Sequence, residues 1–129
     1  MEKYNQLTPE IIAQIQAVSE HVLVGDDINV DFARDEMPIY GTHMPDLVVQ
    51  PTSTEEVAAV MKICYENTIP VTPRGAGTGL AGGAVPLLGG VLIDISKMNR
   101  ILSYDMENFV VEIESGVLLN DLANDCLSK

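Results

Sequence analysis

Pro73-Arg74-Gly75-Ala76-Gly77-Thr78-Gly79-Leu80-Ala81-Gly82-Gly83 is the stretch whose reading decides the fold. Five of the nine residues from 75 to 83 are glycine, and seven of the chain's ten glycines fall between 75 and 90. Without a Cβ, glycine enters positive φ and lets the backbone approach another group closely. Successive N–H groups in such a turn converge into a concave site for an anion. A diphosphate wants several such donors, and the loop adds the Thr78 hydroxyl. Arg74 stands beside it, either as a cation for the phosphates or as a side chain that holds the loop itself. A plain glycine-rich turn would explain one or two glycines. It does not explain five directly after a strand.

Gly77-Thr-Gly79-Leu-Ala-Gly82 spells G-x-G-x-x-G. The dinucleotide fingerprint requires such a loop to open a helix whose N-terminus meets the pyrophosphate. Here Gly83-Ala-Val-Pro86-Leu-Leu-Gly89-Gly90 follows, and one proline with three glycines in eight residues cannot make that helix. No Gly-Lys-Ser/Thr is present, which excludes a Walker loop. The loop is therefore read as a phosphate loop leading into an extended strand.

Upstream, Pro70-Val-Thr-Pro73 reads as a short strand bounded by prolines, and Leu47-Val-Val49 as another, closed by Pro51. Between them Ser53-Thr-Glu-Glu56 forms a capping box, with the Ser side chain on one orphan N–H and the Glu reaching back to another. The helix that follows carries Val57, Val60, Met61 and Cys64 on one face, and Asn67 suits a left-handed C-terminal cap. Strand, helix, strand is a βαβ unit, so the strands are expected to be parallel with a right-handed crossover.

Downstream, Val91–Ile95 reads as a third strand and Met98–Arg100 as a turn. Ile101–Tyr104 and Phe109–Ile113 read as two more strands joined by a polar turn at Asp105–Asn108. After Gly116, Leu118, Leu119, Leu122, Ala123 and Cys126 make a helical stripe that runs into the C-terminus. At the front, Thr8 as N-cap, Pro9 and Glu10 start a helix with Ile11, Ile12, Ile15 and Val18 on one side, ending near Ser19 or Glu20. Residues 20–46 read as irregular, with a solvated acidic surface.

The fold class is thus α+β (α/β): an N-terminal helix, a βαβ unit with short parallel strands, then mixed or antiparallel strands and a C-terminal helix. It divides into residues 1–45, helix and acidic segment, and 46–129. Lys129 comes directly after an amphipathic helix, with no element left to cover the other edge of the sheet. The domain is expected to continue, and that edge is a candidate for self-association.

The net charge of −12, with seven Lys and Arg along 129 residues, argues against nucleic acid and an anionic membrane surface. No apolar run approaches the roughly 20 residues that span a bilayer. Met1–Leu7 is polar and charged, unlike a secretory signal, so a cytoplasmic chain is expected. Cys64 and Cys126 both sit at apolar helical positions and read as buried free thiols. Asp27-Ile-Asn29-Val-Asp31 imitates the start of a calcium loop, but Phe32 and Pro38 occupy the positions that need Gly and Glu. No metal site is expected. His21 and His43 read as surface or loop histidines, and no catalytic residue is assigned.

The run Pro70 to Pro86, with Gly90-Val-Leu-Ile-Asp-Ile-Ser-Lys-Met-Asn-Arg-Ile101 after it, resembles the FAD-binding domain of the vanillyl-alcohol oxidase, or PCMH, type. Within that type it is similar to the glycolate oxidase flavoprotein subunit and the FAD-dependent D-lactate dehydrogenases. Pro45–Val57, Arg34-Asp35 and Glu114-Ser-Gly-Val117 also fit, so the resemblance runs from residue 30 to 129.

The resemblance implies that the loop from Arg74 to Gly79 wraps the FAD pyrophosphate through its backbone and that Gly82-Gly83 closes near it. The candidate cofactor-binding residues are Pro73, Arg74, Gly75, Ala76, Gly77, Thr78, Gly79, Leu80, Gly82 and Gly83. Relatives that attach FAD covalently often have His where Thr78 stands, so non-covalent FAD is implied. Ser115 stands where the family usually has Pro. Family members continue into a second half of the FAD domain and a substrate domain, where their metal or catalytic histidines lie. A complete relative would oxidise a 2-hydroxy acid of the glycolate or D-lactate type, while this portion alone is expected to be inactive. The alternatives are a same-fold FAD oxidoreductase acting on another substrate, or a non-catalytic truncated fragment.

Overall fold

In a computed structural model of the chain, which describes residues 3–129, Thr8 opens the first helix as its sequence requires. Its Oγ1 accepts the Ile11 N–H at 3.3 Å, one of the donors a helix start leaves unpaired, and Pro9 fills the first turn. This helix, α1 (Pro9–Val18), buries Ile11 and Ile15, while Val18 at the end of the predicted stripe is exposed.

The segment read as irregular contains a strand, β1 (Val22–Val24), which pairs antiparallel with β2 (Leu47–Val49), Leu23 opposite Val48. Three residues are too few to show a period, and their ladder partner lies far along the chain. The rest of the segment is made of 3₁₀ turns at Gly25–Asp27, Val30–Ala33 and Pro38–Tyr40. Asp26, Asp27, Asp31 and Glu36 are exposed, as expected of an acidic surface. Ile28 and Phe32, however, turn inward onto Val48 and Leu92. The segment is therefore also the cover for one face of the sheet.

Helix α2 (Thr54–Glu66) starts with half of the predicted capping box: Ser53 Oγ accepts the Glu56 N–H at 3.2 Å. The return half is replaced. The Glu56 carboxylate accepts the Ser19 hydroxyl at 2.9 Å and the Thr52 hydroxyl at 2.7 Å, tying the start of α2 to the end of α1. Val60 and Cys64 are buried and Ile63 packs beside them, but Met61 is exposed, so the inward face is rotated from the predicted stripe. The left-handed residue past the helix is Thr68 (φ 55°), not Asn67 (φ −102°). Asn67 instead donates its side-chain amide to the Ile63 carbonyl at 2.8 Å.

β3 (Val71–Arg74) and β4 (Val91–Asp94) complete a four-stranded sheet of order β1-β2-β4-β3. β2 and β3 are both parallel to β4, so the strands of the βαβ unit run the same way with a later strand inserted between them. β2 and β4 are buried at every residue, and apart from Asp94 at the end of β4 both are apolar throughout, as strands covered on both faces are. Side chains alternate along them: Leu47, Val49, Val91 and Ile93 join Ile11, Ile15, Val60 and Cys64 in the main core, and Val48 and Leu92 face the other way. β3 is an edge strand, the position where Pro73 can sit without breaking a ladder.

After a 3₁₀ turn at Ile95–Lys97, β5 (Ile101–Asp105) and β6 (Val110–Ile113) form a separate antiparallel hairpin. Its turn is held by Asn108, whose backbone and side-chain amides donate to the Asp105 carboxylate at 3.1 and 2.8 Å. Helix α3 (Leu119–Leu127) follows. Among the described residues, burial stops at Met98, and Leu118 and Leu119 of the predicted stripe are exposed. Cys64 is a buried free thiol as expected; Cys126 is free but exposed, with the Tyr104 hydroxyl of the hairpin 3.8 Å from its Sγ.

Candidate functional site

β3 ends at Arg74, opposite Asp94 at the carboxyl end of central β4. Ligands of open α/β sheets bind beyond the carboxyl ends of their strands. Residues 75–90 form neither helix nor strand, so the loop passes from β3 into β4 with no helix behind it. This is the arrangement that the proline and glycines after Gly82 predict.

Arg74 is buried, and its guanidinium serves the protein. Nη2 donates to the Asp31 carbonyl at 2.7 Å; Nη1 donates to the Arg34 carbonyl at 2.8 Å and the Ala84 carbonyl at 3.3 Å. The cation also lies 5.9 Å from the centre of the Phe32 ring, within cation–π range. Of the two roles left open for this side chain, the structure shows the one that holds the loop. The Arg34 guanidinium pairs with the Asp31 carboxylate at 2.8 Å on the surface.

The glycines divide into two groups. Gly77 (φ 72°) and Gly82 (φ 73°) are buried, and a β-carbon on either would collide with the protein itself. At Gly77 it would stand 2.5 Å from Arg74 Cζ, and at Gly82 it would stand 2.7 Å from Cδ2 of the Tyr40 ring. Gly75 and Gly83 are exposed with nothing within 4 Å of such an atom, and at Gly79 the nearest is Asp35 Oδ2 at 3.9 Å. These three leave open space where a ligand can approach the backbone. Ala76, Thr78 and Leu80 are exposed with them.

The amides divide along a different line. The Gly82 N–H is taken by Asp35 Oδ2 at 2.9 Å. Among the described residues, the N–H groups from Gly75 to Leu80 have no acceptor within the chain. Pro73 has no N–H to offer. The donors available to an anion thus include the amides of residues 75–80 and the Thr78 hydroxyl. A polar cleft of about 510 Å³ opens beside them, lined by Asp31, Arg34, Asp35, Glu36, Pro38, Arg74, Ala76 and Gly77. A larger cleft, about 800 Å³, lies at the other end of β4 between Tyr4–Leu7 and Gly89–Gly90, and contains none of the candidate residues.

Two residues of this site carry no local signal of their own. Tyr40 supplies the ring under Gly82, and the Asp35 carboxylate holds the loop's Gly82 amide. Both reach the loop from a segment without periodicity, and only the Arg34-Asp35 pair of the family resemblance hinted at either. His43 is exposed and His21 half-buried. Among the described residues no group of His, Cys, Asp and Glu is arranged to hold a metal, and no helix is long and apolar enough to cross a membrane.

Comparison with known proteins agrees with this geometry. Residues 45–128 match a family described as FAD binding domain. The chain is 62% identical over 124 residues to a D-lactate dehydrogenase of Anaerostipes hadrus, covering 95% of this chain and 26% of that protein. It is 37% identical over 107 residues to the glycolate oxidase subunit GlcD of Bacillus subtilis, covering 81% and 23% respectively. A crystal structure of p-cresol methylhydroxylase with substrate bound superposes with a TM-score of 0.80 at 30% identity, over 92% of this chain and 24% of that one. An alkyldihydroxyacetonephosphate synthase, 20% identical, shares the fold with a TM-score of 0.82 over 99% of this chain and 26% of its own. The chain spans about a quarter of the length of the relatives it matches. A glycine loop that joins two parallel strands without a helix, together with the match over residues 45–128, shows that the chain belongs to the PCMH-type FAD binding domain family.

Proposed function

We propose that the chain is the pyrophosphate-holding part of an FAD-dependent oxidoreductase that oxidises a 2-hydroxy acid of the D-lactate or glycolate type, with FAD bound non-covalently. The observation that carries this reading is the run of amides from Gly75 to Leu80 that have no acceptor within the chain, all of them exposed except that of buried Gly77. Buried amides are nearly always paired, and a run of free ones on a shaped loop is suited to an anion. The residues fit the group: open space at Gly75, Gly79 and Gly83 is room for phosphate oxygens to reach the backbone. The substrate class rests on the names of the relatives, a D-lactate dehydrogenase and a glycolate oxidase subunit.

In this reading each part has a defined task. The amides of Gly75, Ala76, Gly77, Thr78, Gly79 and Leu80 are the donors, with the Thr78 hydroxyl beside them. Pro73 gives the loop a rigid start from the edge strand, and Arg74 fixes its floor from below. Gly82 and Gly83 close the far side, Gly82 through its packing on Tyr40. Thr78 offers a hydroxyl and no imidazole, which suits a cofactor held by contacts alone. Bound flavin supplies the hydride-accepting chemistry, and the protein supplies binding and orientation. No residue of this chain is given a catalytic role.

The test is direct. Purified protein mixed with FAD and then desalted is expected to stay yellow, and the flavin colour of the whole gene product is expected to bleach anaerobically with D-lactate or glycolate. A folded chain that releases all its FAD on desalting would end the cofactor reading. Retained FAD that neither acid bleaches would end the substrate reading.

A further inference from the structure

We infer that Asp35 is a positioning residue for the anion loop: its carboxylate sets the conformation of residues 79–83 and through it the affinity for the cofactor. The inference rests on the reading of the loop given above. Asp35 is half-buried, and both of its oxygens accept backbone amides. Oδ1 takes the Met37 N–H at 2.8 Å and Oδ2 takes the Gly82 N–H at 2.9 Å. A further strap runs beside it, from the Glu36 N–H to the Gly79 carbonyl at 3.3 Å. The first bond holds Asp35 to its own turn, and the second reaches 47 residues along the chain to the loop. Arg74 makes the reverse connection, donating from the loop's start to the carbonyls of Asp31 and Arg34. Two charged groups thus bind the two segments together, each using only backbone partners.

The chemistry makes the role decidable. A carboxylate beside a site for a diphosphate repels it, so an acid present there only as surface charge lowers affinity. Neutralising such an acid tightens binding and weakens its salt dependence. A positioning acid behaves the other way. Asparagine keeps the shape but has one acceptor oxygen, and its NH₂ would face an N–H. One of the two amides loses its partner, and residues 79–83 lose their anchor.

Asp35→Asn in the 129-residue chain is expected to bind FAD about tenfold more weakly, and the Gly82 amide of the FAD-free protein is expected to exchange with deuterium markedly faster. Asp35→Ser is the second variant, read in the same way if Asp35→Asn does not fold. Unchanged exchange at Gly82, or FAD binding as tight as in the parent or tighter, overturns the inference. Exchange at Gly82 is measured without cofactor, so a parent chain that retains no FAD defeats the proposed function while the effect of Asp35 on the loop is still read.

Discussion

The guanidinium of Arg74 packs against the α-carbon of Gly77, so closely that a β-carbon there would stand 2.5 Å from Cζ. Gly77 also sits at φ 72°, a left-handed conformation. Gly77→Ala therefore combines a backbone cost of about 1–2 kcal/mol with an overpacking cost of about 1–3 kcal/mol. A net loss of about 2–5 kcal/mol of folding stability is expected, seen as a lower urea midpoint. A loss below about 0.5 kcal/mol would show that Arg74 does not lie under the loop.

Gly75→Ala is the complementary experiment. Gly75 is exposed, its φ is not positive, and a β-carbon there meets nothing within 4 Å. Stability is expected to stay within about 0.5 kcal/mol of the parent. On the proposed reading, the added methyl would stand where the phosphates approach, so FAD affinity, followed by quenching of flavin fluorescence, is expected to fall about tenfold (about 1.4 kcal/mol). Undiminished affinity would mean that the cofactor does not touch this part of the loop.

Arg74→Lys keeps the charge and loses the geometry. The planar guanidinium reaches three carbonyls, those of Asp31, Arg34 and Ala84, and a single ammonium cannot cover that spread. Carbonyls left without a donor cost about 1–3 kcal/mol. The variant is expected to unfold at correspondingly lower denaturant, and equal midpoints would contradict the clamp.

Glu56 links stability to pH. Burial raises its pKa, but hydrogen bonds from Thr52 and Ser19, with a smaller contribution from the charge of His21, outweigh that and leave it below the usual 4.5. A folded-state pKa below the unfolded one adds stability above the unfolded value, and that stability is lost as pH falls through the folded value. Glu56→Gln is expected to be less stable than the parent at neutral pH, with the gap narrowing as pH drops below 4.5. A gap that stays constant across that range would show that the carboxylate is not held in its charged form.

The thiols are expected to differ sharply in reactivity. Burial pushes the Cys64 thiol up to about 11, while Cys126 is exposed. Thiolate is the reactive form. At neutral pH a thiol reagent is expected to modify one cysteine in the folded chain and the second only after denaturation. Cys126→Ser is expected to remove the fast reaction, and rapid modification of both in the folded parent would contradict the burial of Cys64.

The amino-acid sequence by itself determined what depends on near neighbours along the chain. The density of glycine after Pro73 and the proline at Pro86 decide that the loop has no helix behind it. Thr8 and Ser53 cap their helices because a cap acts on an amide three residues on. Leu47–Val49 and Val91–Ile95 read as strands from their own apolar residues, and the strands found there, Leu47–Val49 and Val91–Asp94, are covered at every residue.

Tertiary structure alone decided how those pieces serve one another. β4 entered between β2 and β3, β1 found its partner in β2, Cys126 stayed uncovered, and Glu56 turned to Ser19 instead of its own cap. The loop's glycines look alike as letters. Whether one makes room for Arg74, for the Tyr40 ring or for a ligand is set by groups brought in from elsewhere. Arg74 meets its acceptors 40 and 43 residues away, and Asp35 meets Gly82 across 47. Local propensity acts over three or four residues, so partners at such separations are chosen by packing.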